Sequence, residues 1–484
     1  MMGRIAAGML LTALLAAVLA AAGHAATTPP RLLVVVAVDQ MRASYLVPSS
    51  GTYAGGLARL QREGFVFEDA RHVHVPTETG PGHAVISTGR FPGTTGIVGN
   101  DWYDRAAGTV TYCVADSLHG FGPEHLWGYT LGDALKARDP ESRVVSVSLK
   151  DRAAILMGGK RPDAALWYSS KLGAFRTSPY YQEPSWLGKF NRRLREKGEP
   201  LRDATTAYQV EIARTPEADR MVLELALEAA RRFDLGGDSH PDILFVSFSA
   251  TDYIGHRYGP DSPQMEEQLR RLDLTLGDFL DGLEKQAGRG RVDVILTADH
   301  GAHPHPSSAR RVTYEQMGAA IERVLQYDFP VKGRWLLDNE FPNLWFDREL
   351  ARRSGMDWRV LLREAAKRVE TVDGVAKAFI PDELDAASDP YAAAYARSMA
   401  PGRSGDLVVR PVENLIVYDP PDIGEHGTPY EYDARVPLVF WGPDAKTGRS
   451  SDTVRVADLA PTAAALLGFS FMPQPDSRVL PALK

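Results

Sequence analysis

The stretch Leu32-Leu33-Val34-Val35-Val36-Ala37-Val38-Asp39 decides the fold. Seven apolar residues, four of them valine, end on a single aspartate. A short apolar run of this kind reads as a buried strand, and the polar residue that ends it sits at the strand's C-terminus. Two more runs close in the same way: DILFVSFSAT at 242–251 before Asp252, and VDVILTA at 292–298 before Asp299. In a parallel α/β sheet all strand C-termini open onto one edge, and ligands bind there. Two of the three aspartates also bring a histidine, as Asp252-x-x-x-His256 and Asp299-His300. Carboxylates and imidazoles gathered at one edge are the donor set of a borderline divalent cation such as Zn²⁺. The pattern points to a metalloenzyme.

Around these strands the chain alternates. YAGGLARLQREG at 53–64 has the spacing of an amphipathic helix stopped by Gly64. RVVSVSLK at 143–150 reads as a strand, and residues 218–233 and 262–286 repeat apolar positions at helical spacing. The strands 242–248 and 292–297 therefore frame a right-handed, parallel β–α–β unit. Near the end, 436–442 reads as a strand and 456–469 as a helix. The expected fold is a three-layer α/β/α arrangement with a mostly parallel central sheet. The texture changes twice. Residues 100–200, rich in aromatics and loops, are expected to cover the site, and residues of about 305–410 suggest a small α+β insertion. The catalytic domain is expected to span 30–484.

With 484 residues, 44% apolar and 24% charged, the chain is an ordinary globular protein. A net charge of −7 and the lack of a basic run exclude a nucleic-acid partner. Residues 1–25 have the form of a secretory signal: Arg4, an Ala/Leu-rich apolar run, then Gly23-His24-Ala25 as a small-x-small cleavage site. This implies a periplasmic or secreted protein with no membrane span once the signal is removed. Cys113 is the single cysteine, so there is no internal disulfide.

PTETGPGHA at 76–84 introduces a helix. Thr79 is expected at its N-cap, where backbone N–H groups and the helix dipole favour negative charge. A threonine hydroxyl is a poor nucleophile unless a metal or base activates it. Taken singly, each of these features is weak. Together, Asp39, Thr79, Asp252, His256, Asp299 and His300 follow the order a two-metal centre needs, and His426 in the glycine-framed loop Gly424-Glu425-His426-Gly427 is a further ligand candidate. His303 and His305 read as surface or cover residues, and His72, His74 and His83 as local packing around the helix.

VVVAVDQMR, PTETGPGHAVISTG, GIVGNDWYD, SLKDRAAI, TDYIGHRYGP, TADHG and EHGTPYEYDARVPLVFWG run in one order along nearly the whole mature chain. In this the chain resembles the alkaline phosphatase superfamily, in the branch with a threonine nucleophile: nucleotide pyrophosphatase/phosphodiesterases and PafA-type bacterial alkaline phosphatases. The resemblance implies two zinc ions per chain. One would be held by Asp252, His256 and His426 and the other by Asp39, Asp299 and His300, with the Thr79 oxygen bridging them. It also implies that Asn100, Lys150 and Arg152 contact the transferred phosphoryl group. Diesterases of the family lack the Lys-x-Arg pair, so the implied substrates are small phosphate monoesters, split through a phosphothreonine intermediate. A diesterase on the same scaffold is the alternative, and an inactive phosphate-binding protein is the reading from another class. Sulfatases need a Cys/Ser-x-Pro-x-Arg motif, which Thr79-Gly80-Pro81-Gly82 does not supply.

Overall fold

The computed structural model describes residues 32–49, 51–196, 212–303, 310–329, 331–339 and 341–484. The expected signal at 1–25 and His305 lie outside them. Nine strands form the central sheet: β1 (Leu32–Val38), β2 (Phe65–Arg71), β3 (Val144–Ser148), β4 (Ala164–Ser169), β5 (Ala174–Arg176), β6 (Asp242–Phe248), β7 (Val292–Thr297), β8 (Arg435–Trp441) and β9 (Gly448–Arg455). Their order is β9-β2-β8-β7-β1-β6-β3-β4-β5. β7, β1, β6, β3 and β4 are mutually parallel. β8 and β5 run against their neighbours, so the sheet is mixed but mostly parallel.

β1, β6 and β7 are buried at every residue, which requires cover on both faces of the sheet. Two helix groups provide it. Gly56–Glu63, Pro216–Arg232 and Pro263–Ala287 pack on one another. The second group contains Leu131–Arg138, Leu459–Leu466 and two helices that matter for the site, α1 (Thr79–Thr88) and α2 (Asp151–Gly158). A third helix, α3 (Ala250–Tyr258), follows β6 after one residue.

One expectation needs correction, and the strand order adds two features that the sequence did not specify. β6 and β7 are parallel members of one sheet, but they are not neighbours, because β1 lies between them and pairs with both. Residues 100–200 are not all cover: β3, β4 and β5 belong to the central sheet. AALWYS at 164–169 is a buried apolar strand that pairs with its successor through the turn at Ser170–Gly173, and its aromatic content disguised it. The C-terminal apolar strand β8 is antiparallel to β7 and β2.

Beyond β7, strands Leu336–Asp338, Asn343–Phe346, Leu407–Pro411 and Val375–Phe379 form a separate antiparallel sheet in that spatial order. Helices Tyr314–Asp328 and Trp358–Val369 close over it on an apolar cluster that includes Ile321, Trp335, Leu361 and Leu407. A cleft of about 630 Å³ lies between this unit, at Tyr314, Gly318 and Phe341, and the sheet edge, at Asn100, Arg152, His256 and His426.

Candidate active site

Because β1 sits between β6 and β7 in register, the residues that follow the three strands emerge side by side. Asp39, Asp252 and Asp299 are all buried there. The structure brings every candidate Asp and His ligand into one of two groups: Asp252, His256 and His426, and Asp39, Asp299 and His300, with ligand atoms within 4.8 Å of one another in each group. His256 lies one turn after Asp252 on α3, which places its Nε2 3.1 Å from Asp252 Oδ1, and His426 Nε2 is 3.7 Å from the same oxygen. His300 Nε2 is 3.5 Å from both Asp39 Oδ1 and Asp299 Oδ2.

The hydrogen bonds around these groups suit a cation. Nδ1 of His256, His426 and His300 faces the backbone carbonyls of Gly424 (2.8 Å), Thr77 (2.9 Å) and Gly301 (2.9 Å). A carbonyl only accepts, so each Nδ1 carries a proton and donates it, and each Nε2 is turned into the site, as metal-bound histidines are oriented. Among the described residues, Asp39 Oδ1 and His300 Nε2 are buried without a hydrogen-bond partner. Such groups are costly unless something charged meets them. Three buried carboxylates with imidazole nitrogens beside them are a donor set that fits divalent ions.

The electrostatics agree with that need. Burial, with Asp252 and Asp299 adjacent, pushes the Asp39 carboxyl well up despite Lys150. Burial would also raise Asp252, but Lys150, His256 and His426 hold it well below the usual carboxylate range. Burial and the neighbouring His300 and His256 keep the His426 imidazole neutral.

α1 brings Thr79 to the lysine that spans the two groups. Its N-cap is Glu78, in extended backbone, so Thr79 is the first helical residue and not the cap. Its hydroxyl still sits at the positive end of the helix. Thr79 Oγ1 lies 3.3 Å from Lys150 Nζ and 3.3 Å from Arg152 Nη2. Lys150 caps α2 and its ammonium also spans Asp39 Oδ2 (2.6 Å) and Asp252 Oδ2 (2.5 Å), one carboxylate from each group. Asn100 is adjacent: its Oδ1 accepts from Gly80 N (2.8 Å), while its own N–H donates to Glu78 Oε2 (2.8 Å). Gly82 permits the approach of α1 to the sheet edge, since a Cβ there would stand 2.2 Å from the Asp299 carbonyl oxygen.

Several neighbours were not expected. Gln40, with φ of 63°, donates through Nε2 to Asp252 Oδ1 (2.9 Å) and through its backbone N–H to Asp299 Oδ1 (3.1 Å), joining the two groups. Its position next to Asp39 was the one available signal. His83 lies between Thr79 O (2.8 Å), Ser247 Oγ (2.9 Å) and Asp299 Oδ2 (3.2 Å). His303, expected to be a surface or cover residue, is buried. Its backbone N–H and Nδ1 both meet the Glu425 carbonyl, so it fastens the loop that carries His426.

Known proteins are similar to this chain over most of its length. The family described as type I phosphodiesterase / nucleotide pyrophosphatase matches residues 33–428. The alkaline phosphatase PafA of Elizabethkingia meningoseptica is 29% identical, over 90% of this chain and 91% of its own length. The alkaline phosphatase PhoV of Synechococcus elongatus is 30% identical, over 89% of each. A crystal structure of PafA superposes with a TM-score of 0.84 at 28% identity, covering 92% of this chain and 97% of that one. The chain belongs to the type I phosphodiesterase/nucleotide pyrophosphatase family, on the side of its PafA-type alkaline phosphatases.

Proposed function

We propose that the chain is an exported phosphate-monoester hydrolase, an alkaline phosphatase, that passes the phosphoryl group through Thr79 at a two-zinc centre. One observation carries the reading: the Thr79 hydroxyl lies 3.3 Å from both Lys150 and Arg152, and Lys150 touches one carboxylate of each Asp/His group. Zinc held by Asp252, His256 and His426, and by Asp39, Asp299 and His300, would supply Lewis-acid stabilisation of the attacking and leaving oxygens. Export rests on the composition of residues 1–25.

The side chains then divide the work. Thr79 must lose its proton to attack, and the two cations beside Oγ1 favour the alkoxide, as does the helix N-terminus. Attack on phosphorus breaks the bond to the alcohol and leaves phosphothreonine. Water then attacks the same phosphorus and frees Thr79. Arg152 offers a planar fork, Lys150 a point charge and Asn100 an amide to the non-bridging oxygens. A monoester dianion presents more charge to these groups than a diester does, which favours monoesters. A diesterase is the second reading, favoured by the name of the family matched over residues 33–428. Acid quenching during turnover of an aryl phosphate, followed by peptide mass spectrometry, is expected to locate phosphate on Thr79. Thr79→Ala is expected to lose activity on the order of 10³-fold or more, as removal of a nucleophile does elsewhere. Phosphate on Thr77, or an active Thr79→Ala variant, would overturn the assignment.

A further inference from the structure

We propose that Tyr112 is a positioning residue for monoester preference: its hydroxyl aims the Arg152 guanidinium at Thr79. The inference rests on the phosphatase reading above and assigns a role to a residue outside the catalytic set. Tyr112 Oη donates to Asp151 Oδ1 at 2.5 Å and accepts from Arg152 Nη1 at 3.3 Å. The other arm of the same guanidinium, Nη2, reaches Thr79 Oγ1 at 3.3 Å. Asp151 Oδ1 also accepts the Arg152 backbone N–H at 2.7 Å, so one carboxylate oxygen fixes both the start of α2 and the tyrosine hydroxyl. Burial, with Asp151 adding to it, pushes the phenol above its ordinary range, which keeps the proton available for donation to Asp151.

A guanidinium at the end of a three-carbon stem has many rotamers, and fixing it in advance lowers the cost of meeting the phosphoryl oxygens. Among the described residues Nε of Arg152 is buried without a hydrogen-bond partner, so the hydrogen bonds that direct this side chain are those to Tyr112 and Thr79. The placement of Tyr112 has a structural source. It ends the hairpin Asp101–Asp104/Thr109–Tyr112, in which Asp101 pairs with Tyr112, and Cys113 N–H donates to Asn100 O at 2.8 Å. One hairpin therefore links Asn100, whose amide oxygen meets Gly80 beside Thr79, to the tyrosine that steadies Arg152.

The test uses the metal-loaded full chain and measures kcat/KM for p-nitrophenyl phosphate and for its bis-ester. Wild type, Tyr112→Phe, Arg152→Ala and the double variant are compared. Phe keeps the ring that packs beside Trp102, Cys113 and Trp167. Tyr112→Phe is expected to lose about 10- to 100-fold on the monoester, the range for one hydrogen bond to a charged group, and to stay near wild type on the diester. In the Arg152→Ala background it is expected to add nothing, since its partner is gone. Asp151→Ala, which leaves the hydroxyl but removes its anchor, is expected to show the same split. Wild-type monoester turnover by Tyr112→Phe, an equal loss on both substrates, or a loss that adds to that of Arg152→Ala would each overturn the proposal. A wild type that prefers the diester, or an Arg152→Ala variant with unchanged monoester turnover, would overturn the phosphatase reading itself.

Discussion

Lys150 touches three acidic or hydroxylic partners at once: Asp39, Asp252 and Thr79. In the proposed reading, cations on the carboxylates would free its charge to meet the phosphoryl oxygens together with that of Arg152. Losing one buried, charge-assisted contact costs about 2–5 kcal/mol when the partner is left unpaired, and each 1.4 kcal/mol is roughly tenfold in rate. Lys150→Ala/Arg152→Ala is therefore expected to depress monoester kcat/KM by several orders of magnitude while diester hydrolysis falls much less. An equal loss on the two substrates would show that the pair serves folding or general positioning. At this scale the carboxylates and histidines were legible, because strand ends and short spacings mark them. Gln40 and Tyr112 were not. Their roles depend on φ of 63° at Gln40 and on a hairpin register, neither of which has a one-residue signature.

Among the elements, α1 is the most constrained. All ten of its residues are buried, and it meets the β7 edge through Gly82. Gly82→Ala would set a Cβ against backbone that cannot yield. Overpacking of this kind costs about 1–3 kcal/mol. The variant is expected to lose activity more than stability, because the displaced helix start carries Thr79 away from Lys150 and Arg152. A denaturant midpoint and kcat/KM measured together check this, and unchanged turnover would show that the contact has slack. The same element shows the reach of pattern reading. The helix after PTETGPGH was legible, but its start was placed one residue late, at Thr79 as cap, because Glu78 is an unusual cap residue and makes no side-chain capping bond. Strand existence was likewise legible in the apolar runs. Strand neighbours were not, since β1's insertion between β6 and β7 is a long-range choice.

On the scale of the whole molecule, five consecutive parallel strands, the reversed strand β8 and a second α+β unit converge on one cleft. Among the described residues no helix is long and apolar enough to cross a membrane. Two metal ions per chain are expected by elemental analysis of active protein. A chelator is expected to abolish activity and lower the unfolding temperature, because an ion bound only by the folded state adds about 2.7 kcal/mol per site at a hundredfold excess over Kd. Active protein with one metal or none would contradict the two groups as a paired centre. The most direct measurement compares kcat/KM of the metal-loaded chain for p-nitrophenyl phosphate and bis-p-nitrophenyl phosphate under one set of conditions. The account requires the monoester to be favoured by at least roughly tenfold, about 1.4 kcal/mol of differential transition-state binding; faster hydrolysis of the diester would contradict it.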